Sequence, residues 1–428
     1  MKKKILEAIK TVLIVLLSLL VVILSAMALP RQDLANRPVA SRILRPFAGM
    51  LGVAEAELTY TAPPVQRVIT PAAQPIAITV RTADGRKTVQ QDMQELDSAY
   101  EQLGSLLARG LDSAKEPRQI RQEQVMDALR ETSVAYRFPC RIPADVLCAW
   151  LNVQPPVSHE ANWYILHVQG EAVELLLLGE SAMALDTELS ARTVEESLAD
   201  FSPDGSFFAF EDDTGRFDRV DPFSLVAGAG TVYTGSWQNP CEARWIAAVA
   251  SGLGFNPYGG SRFVSSDGTT SFTDKAYALR VTGTGDLTLE ILQAEPTFQS
   301  NSDSDADRIE AARRAVSQLA GDTAGDARLL FSGLEKTGSG AVCSFDYYLS
   351  GIRVSDGTEA AARVIFEGRQ IRKLLMRVRT CQLTDEIPTL LPPAQAASIA
   401  EDLQELSLIY AEKSEGQLLL NWKKGEQP

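Results

Sequence analysis

The chain has 428 residues, of which 45% are hydrophobic and 22% charged, and its formal net charge is −14. That length can bury two or three modest cores, and the composition is that of folded globular material. An acidic chain without a basic stripe repels phosphate backbones, which argues against a nucleic-acid partner.

Apolar residues are concentrated near the N-terminus. Residues 11–29 form an uninterrupted run of nineteen without charge, Gly or Pro. As a helix such a run rises roughly 28 Å, close to the hydrocarbon thickness of a bilayer. Lys2, Lys3, Lys4 and Lys10 precede it, and Arg31 follows. The positive-inside rule then predicts a cytoplasmic N-terminus (1–10), a transmembrane helix (11–29) and an extracytoplasmic body in the cell membrane, a single-pass topology. The first ten residues carry +3, so the remainder carries −17. Ala26-Met27-Ala28 has the form of a signal-peptidase site. The apolar run is nevertheless longer than the usual h-region of a cleaved signal peptide, so an uncleaved anchor is expected. Ser18, Val21, Val22 and Ser25 fall on one face of this helix, a candidate interaction face within the membrane. The alternative is that both hydroxyls bond the carbonyls of their own helix.

Residues 30–75 are rich in Pro and Ala and read as a stalk. Residues 76–82 predict a strand ending at the turn Ala83-Asp84-Gly85. Met93, Leu96, Tyr100, Leu103 and Leu107 recur at helical spacing and predict an amphipathic helix. A shorter helix is expected over 122–130, a strand over 134–138 and a helix over 143–151. Residues 163–168 and 172–178 form a predicted hairpin about Gln169-Gly170-Glu171. Residues 241–253 predict a helix closed by Gly254, followed by strands near 262–264, 275–282 and 287–292. A similar order follows the polar segment 301–305: a helix striped by Ile309, Ala312, Val316 and Leu319, then strands over 328–334, 341–349, 361–366 and 371–383. Pro392 and Pro393 open a terminal helix reaching 403, and strands over 406–411 and 417–422 complete the chain. The expected fold class is α+β: a transmembrane helix followed by an elongated ectodomain of helix-plus-antiparallel-meander modules. The expected divisions are 76–200, 201–300 and 306–428.

Chemistry is sparse. His159 and His167 lack zinc-motif spacing, and the chain has no GxSxG elbow, SxxK signature, Walker loop or GxGxxG after a strand. Gly228, Gly230 and Gly235 read as turns. From Asp303 to Asp307, acidic residues alternate, but a calcium loop starting there would need Gly and Glu where Arg308 and Arg314 stand. An acidic helix N-terminus fits better. Residues 211–215 read as an acidic turn. Of five cysteines (Cys140, Cys148, Cys241, Cys343, Cys381), Cys148 reads as core, and Cys343 with Cys381 is a candidate pair on two strands. No catalytic, cofactor-binding or metal residue is assigned.

The order of these features resembles the YycH/YycI family. Four stretches carry the resemblance: MKKKILEAIKTVLIVLLSLLVVIL; VAYRFPCRIPADVLCAWLNV (134–153); RFVSSDGTTSFTDKAYALRVTGTGDLTLE (262–290); and 347–422 with YYLSGIRV, LLPPAQAASIAEDL, LSLIY and LLLNW. The closing NWKK departs from the Pro-x-Trp more typical of the family. The resemblance, nearest to YycH, implies no catalysis and no cofactor. It implies regulation of the WalK/WalR (YycG/YycF) two-component system, with a sensor histidine kinase and a YycI-like protein as partners and cell-wall homeostasis as output. Two other classes fit the bare sequence: an anchored cell-envelope enzyme acting on peptidoglycan, and a peptide-binding or protease-inhibitory ectodomain.

Overall fold

The computed structural model describes residues 72–226, 231–294, 296–320, 322–338, 340–357, 359–400, 405–414 and 416–423. The anchor, its face Ser18, Val21, Val22 and Ser25, the Ala26-Met27-Ala28 sequence and most of the stalk lie outside these residues. Among the described residues no helix is long and apolar enough to cross a membrane. The fold is mixed α+β with mostly antiparallel sheets. Contact density separates two compact bodies, one containing 241–293 and the other containing 67–240 with 294–428.

The larger body begins with β1 (Ala77–Thr82), β2 (Gly85–Val89), α1 (Met93–Ser113), β3 (Lys115–Ile120), α2 (Gln122–Arg130), β4 (Ser133–Pro143) and α3 (Ala144–Leu151). It continues through β5 (Glu160–Gln169), β6 (Ala172–Leu178), β7 (Ala182–Ser190) and α4 (Ala191–Leu198). Its seven strands form one antiparallel sheet in the order β2-β1-β4-β5-β6-β7-β3. Alternation along β5 sends Trp163 and Ile165 to one face, where they join Val125, Ala128 and Leu129 of α2 in one core cluster. Tyr164 and Leu166 face the other way. There the Tyr136 hydroxyl donates to Leu103 O of α1 at 2.6 Å. Asp92 starts α1 by accepting from the amides of Gln94 and Glu95 at 2.9 and 3.0 Å. Gly110 lets α1 approach the sheet, because a Cβ there would lie 2.7 Å from Leu166 Cδ2.

The short pair β8 (Phe207–Phe208) and β9 (Leu225–Val226) follows, then β10 (Gly235–Gln238). The smaller body contains α5 (Ala243–Gly252), β11 (Arg262–Val264), β12 (Thr270–Thr273), β13 (Tyr277–Val281) and β14 (Asp286–Ile291). Its strands form an antiparallel meander in chain order. Leu287, Leu289 and Ile291 of β14 are buried while Asp286 is exposed, the two-residue period that the sequence predicts. Phe255 packs 5.6 Å from Phe272 and 6.4 Å from Tyr277, ring centre to ring centre.

The larger body resumes with α6 (Asp305–Ala320), β15 (Ala327–Thr337), β16 (Gly340–Leu349), β17 (Ile352–Ser355), β18 (Ala362–Glu367), β19 (Gln370–Arg377) and β20 (Thr380–Leu383). It ends with α7 (Pro393–Ser398), β21 (Leu408–Glu412) and β22 (Gln417–Trp422). These strands run in the order β19-β18-β16-β17-β21-β22-β10-β20, with β15 paired to β16. The pairing of β17 with β21 is parallel. Asp97 of α1 ties this sheet to the first through a two-pronged ion pair with Arg328 of β15, at 2.8 and 2.5 Å.

Two expectations are corrected. The strand expected over 371–383 breaks between β19 and β20, because Arg379 turns inward to pair with Glu412 at 3.2 Å and lies 4.3 Å from the Trp237 ring centre. The helix expected from Pro393 is short among the described residues, ending at Ser398.

Candidate functional site

A cavity of about 960 Å³ opens within the larger body. Its floor is the face of β16 that carries Ser344, Asp346 and Tyr348, with Ser332, Gly333, Leu334 and Glu335 of β15 on one side and Arg353 of β17 on the other. Arg137 and Pro139 of β4 line it from the first sheet, and Leu225, Val226, Leu390, Leu406, Leu408 and Trp422 supply apolar wall. Local sequence explains how these elements meet. An extra residue in β15 at Ser332 shifts the β15–β16 register between Phe331 and Gly333, and such a bulge bends a strand. Cys140 of β4 donates its thiol to Phe331 O at 3.5 Å at that bend.

Charge on the wall is mixed. Arg137 pairs with Glu405 and lies 5.8 Å from the Trp163 ring centre. Burial pulls its guanidinium below the usual value. Its buried Nε has no hydrogen-bond partner among the described residues. Asp346, 3% exposed, lies 3.0 Å from Arg353 Nε and accepts from the Ala361 amide at 3.0 Å. Burial also pushes the Tyr348 phenol above the ordinary tyrosine value. Glu335 has no cation partner among the described residues, whereas its neighbour Lys336 lies 2.9 Å from Asp305. No family model and no curated protein matches the chain.

Several residues singled out in the sequence have structural partners elsewhere. His167 is buried with Nε2 at 2.9 Å from Glu131 Oε2. His159 accepts the Ala144 amide through its carbonyl at 2.8 Å, at the start of α3. Asp305 begins α6, and Ser304 Oγ accepts from the Asp307 amide at 3.2 Å, so the acidic run is a helix N-terminus. Glu211 of the acidic turn reaches back to Arg86, and Asp212 is 2.8 Å from Arg216. The candidate Cys343–Cys381 pair is not formed. Cys343 and Cys381 are both free thiols, and they sit on strands that do not pair: β16 joins β15, β17 and β18, whereas β20 joins β10. Burial pushes Cys148, Cys343 and Cys381 up to about 12, which keeps them as protonated thiols at neutral pH.

The cavity itself was not found from the sequence. Two signals for it existed: a charged Arg137 inside the apolar stretch 134–138, and an isolated Gly333 inside a predicted strand, which commonly marks a bulge.

Proposed function

We propose that this chain is a non-enzymatic, membrane-anchored extracytoplasmic regulator of a sensor histidine kinase, acting as YycH does in cell-wall homeostasis. The observation that carries the reading is the 11–29 apolar run behind four lysines, joined to a large acidic body with an α+β fold. The resemblance to the YycH/YycI family supplies the kinase and a YycI-like protein as partners.

Physically, a helix lying beside the membrane helices of a kinase shifts a two-state signalling equilibrium when it binds one state better than the other. Couplings of this kind are worth about 1–3 kcal/mol, or roughly 5- to 150-fold. The proposed face contains Ser18, Val21, Val22 and Ser25. Replacing Ser18 and Ser25 together by Leu keeps the helix apolar while removing its small polar contacts. Insertion should persist, and co-purification of the full-length protein with the kinase should weaken. Undiminished co-purification would remove this face from the mechanism.

A further inference from the structure

We infer that the cavity binds an uncharged glycoside, with a hydroxyl-rich sugar over β15 and β16 and an apolar aglycone beyond β17. The first observation is the arrangement of the floor. Tyr348 of β16 opposes Arg353 of β17, and Arg353 stands beside Ile409 of β21, so these three lining residues form one row across three strands. Two strand spacings, roughly 10 Å, separate its Tyr348 end from its Ile409 end. Ser332 of β15 and Ser344 of β16 extend the polar end. Leu406, Leu408 and Trp422 extend the apolar end, and Leu408 opposes Trp422 across β21 and β22.

The second observation is uncommitted hydrogen-bonding capacity of one kind. Tyr348 is 5% exposed, yet its hydroxyl has no hydrogen-bond partner among the described residues. The same holds for the hydroxyls of Ser332 and Ser344 and the side-chain amide of Gln91. None of these groups is sealed, in contrast to Arg137 Nε, so they remain open to a ligand. Hydroxyls and amides both donate and accept, which matches the hydroxyls of a sugar. The charged groups, by contrast, are matched within the wall. Arg137 pairs with Glu405, Asp346 lies 3.0 Å from Arg353, and Asp204 accepts from the amides of Thr88 and Ser206 at 3.0 and 2.9 Å. Glu335 is exposed to water at the rim. A charged ligand would therefore lose hydration without gaining an unpaired countercharge inside. The third observation is room and built-in strain. The cavity of about 960 Å³ takes a disaccharide with a small aglycone. Gln91 in its lining has φ 66°, and Ser350, preceding the lining residue Gly351, has φ 50°. Left-handed backbone at non-glycine residues collects at ligand sites, where packing enforces it.

This inference does not rest on the kinase reading: binding is measured without a kinase, so either can fail alone. The full-length chain in lipid nanodiscs is titrated with fluorescent methylumbelliferyl maltoside, with empty nanodiscs as the blank. Anisotropy should show saturable binding. Maltose alone and methylumbelliferone alone should each bind roughly tenfold or more weakly, since each fills one end of the cavity. Methylumbelliferyl glucuronide should bind about tenfold more weakly than the matching glucoside, because its carboxylate enters beside Asp346 and Glu405. Tyr348→Phe should weaken the maltoside about fivefold and leave the melting temperature unchanged or higher, since it removes a hydroxyl without a partner. Ser344→Phe, which fills the polar end, should abolish binding. A soluble glycoside and a membrane glycolipid share this chemistry. With butyl and hexyl glucosides as competitors, a stronger hexyl glucoside assigns the site to a lipid-borne sugar, and equal potency assigns it to a soluble one. Absence of saturable binding at about 1 mM probe, methylumbelliferone that binds as tightly as its maltoside, a glucuronide that matches the glucoside, or unchanged affinity in both variants would overturn the proposal. So would a blocked dipeptide amide that outcompetes the maltoside, since the polar end would then recognise amides.

Discussion

Arg86 offers the sharpest test of how the first sheet is held together. Its side chain is 1% exposed, pairs with Glu211, donates to Leu129 O and lies 4.6 Å from the Phe208 ring centre. Burial pushes its guanidinium down to about 9, which still leaves it charged at neutral pH. Glu211→Gln keeps an acceptor for the Phe208 amide, now 2.8 Å from Glu211 Oε2, but removes the charge facing Arg86. Breaking a buried pair by removing one partner costs about 3–5 kcal/mol, and the retained amide oxygen places this case near 3 kcal/mol. In a body of this size that lowers the melting temperature by roughly 5 °C. Urea unfolding followed by tryptophan fluorescence measures the loss, and Trp163 lies near the site, 5.5 Å from Phe208, ring centre to ring centre. The double substitution Arg86→Met with Glu211→Gln removes the stranded charge and should cost less than Glu211→Gln alone. A loss below about 1 kcal/mol for the single variant, or a double variant that costs more, would refute the assignment of Arg86 as a buried charge that depends on Glu211.

Gly110→Val should destabilise by about 2–3 kcal/mol, because the new side chain meets Leu166 Cδ2 at 2.7 Å; a neutral or higher melting temperature would show that α1 stands off the sheet. Raising the pH should weaken the fold between about 9 and 12. Cys148, Cys343 and Cys381 are raised by burial from 9.0 to about 12, so their stabilisation is complete below the unfolded value and is lost as pH rises towards the folded one. Arg86, lowered by burial, acts with the opposite sign. Cys343→Val should therefore flatten the alkaline slope of stability by up to about 1.4 kcal/mol per pH unit. An unchanged slope would mean that the Cys343 thiol ionises as easily folded as unfolded.

Much of the secondary structure was legible because burial is periodic. The stripe Leu96, Leu103 and Leu107 announces α1, and 122–130 coincides with α2. Where burial is absent the signal is absent too. The strand β3 is KEPRQI, almost wholly exposed, with Pro117 tolerated because β3 is a sheet edge. The break before β20 was hidden because Arg379 reads as the charged side of an alternating strand, yet it is 6% exposed and paired with Glu412. Tertiary partners remote in sequence decide such positions. The cavity was illegible for the same reason: Arg137, Leu225, Gly333, Asp346 and Glu405 come from separate segments, and none forms a local motif. The anchor expected over 11–29 lies at the other extreme, since composition alone suggests it.

The central claim is regulation of a kinase, and the most direct measurement is kinase activity with and without the full-length chain. A sensor histidine kinase from the same membrane would be reconstituted in lipid vesicles and its autophosphorylation rate followed as the chain is added. The account predicts a saturable change of about fivefold or more, weakened when Ser18 and Ser25 are both replaced by Leu. A rate that stays constant while the chain is correctly inserted would contradict it.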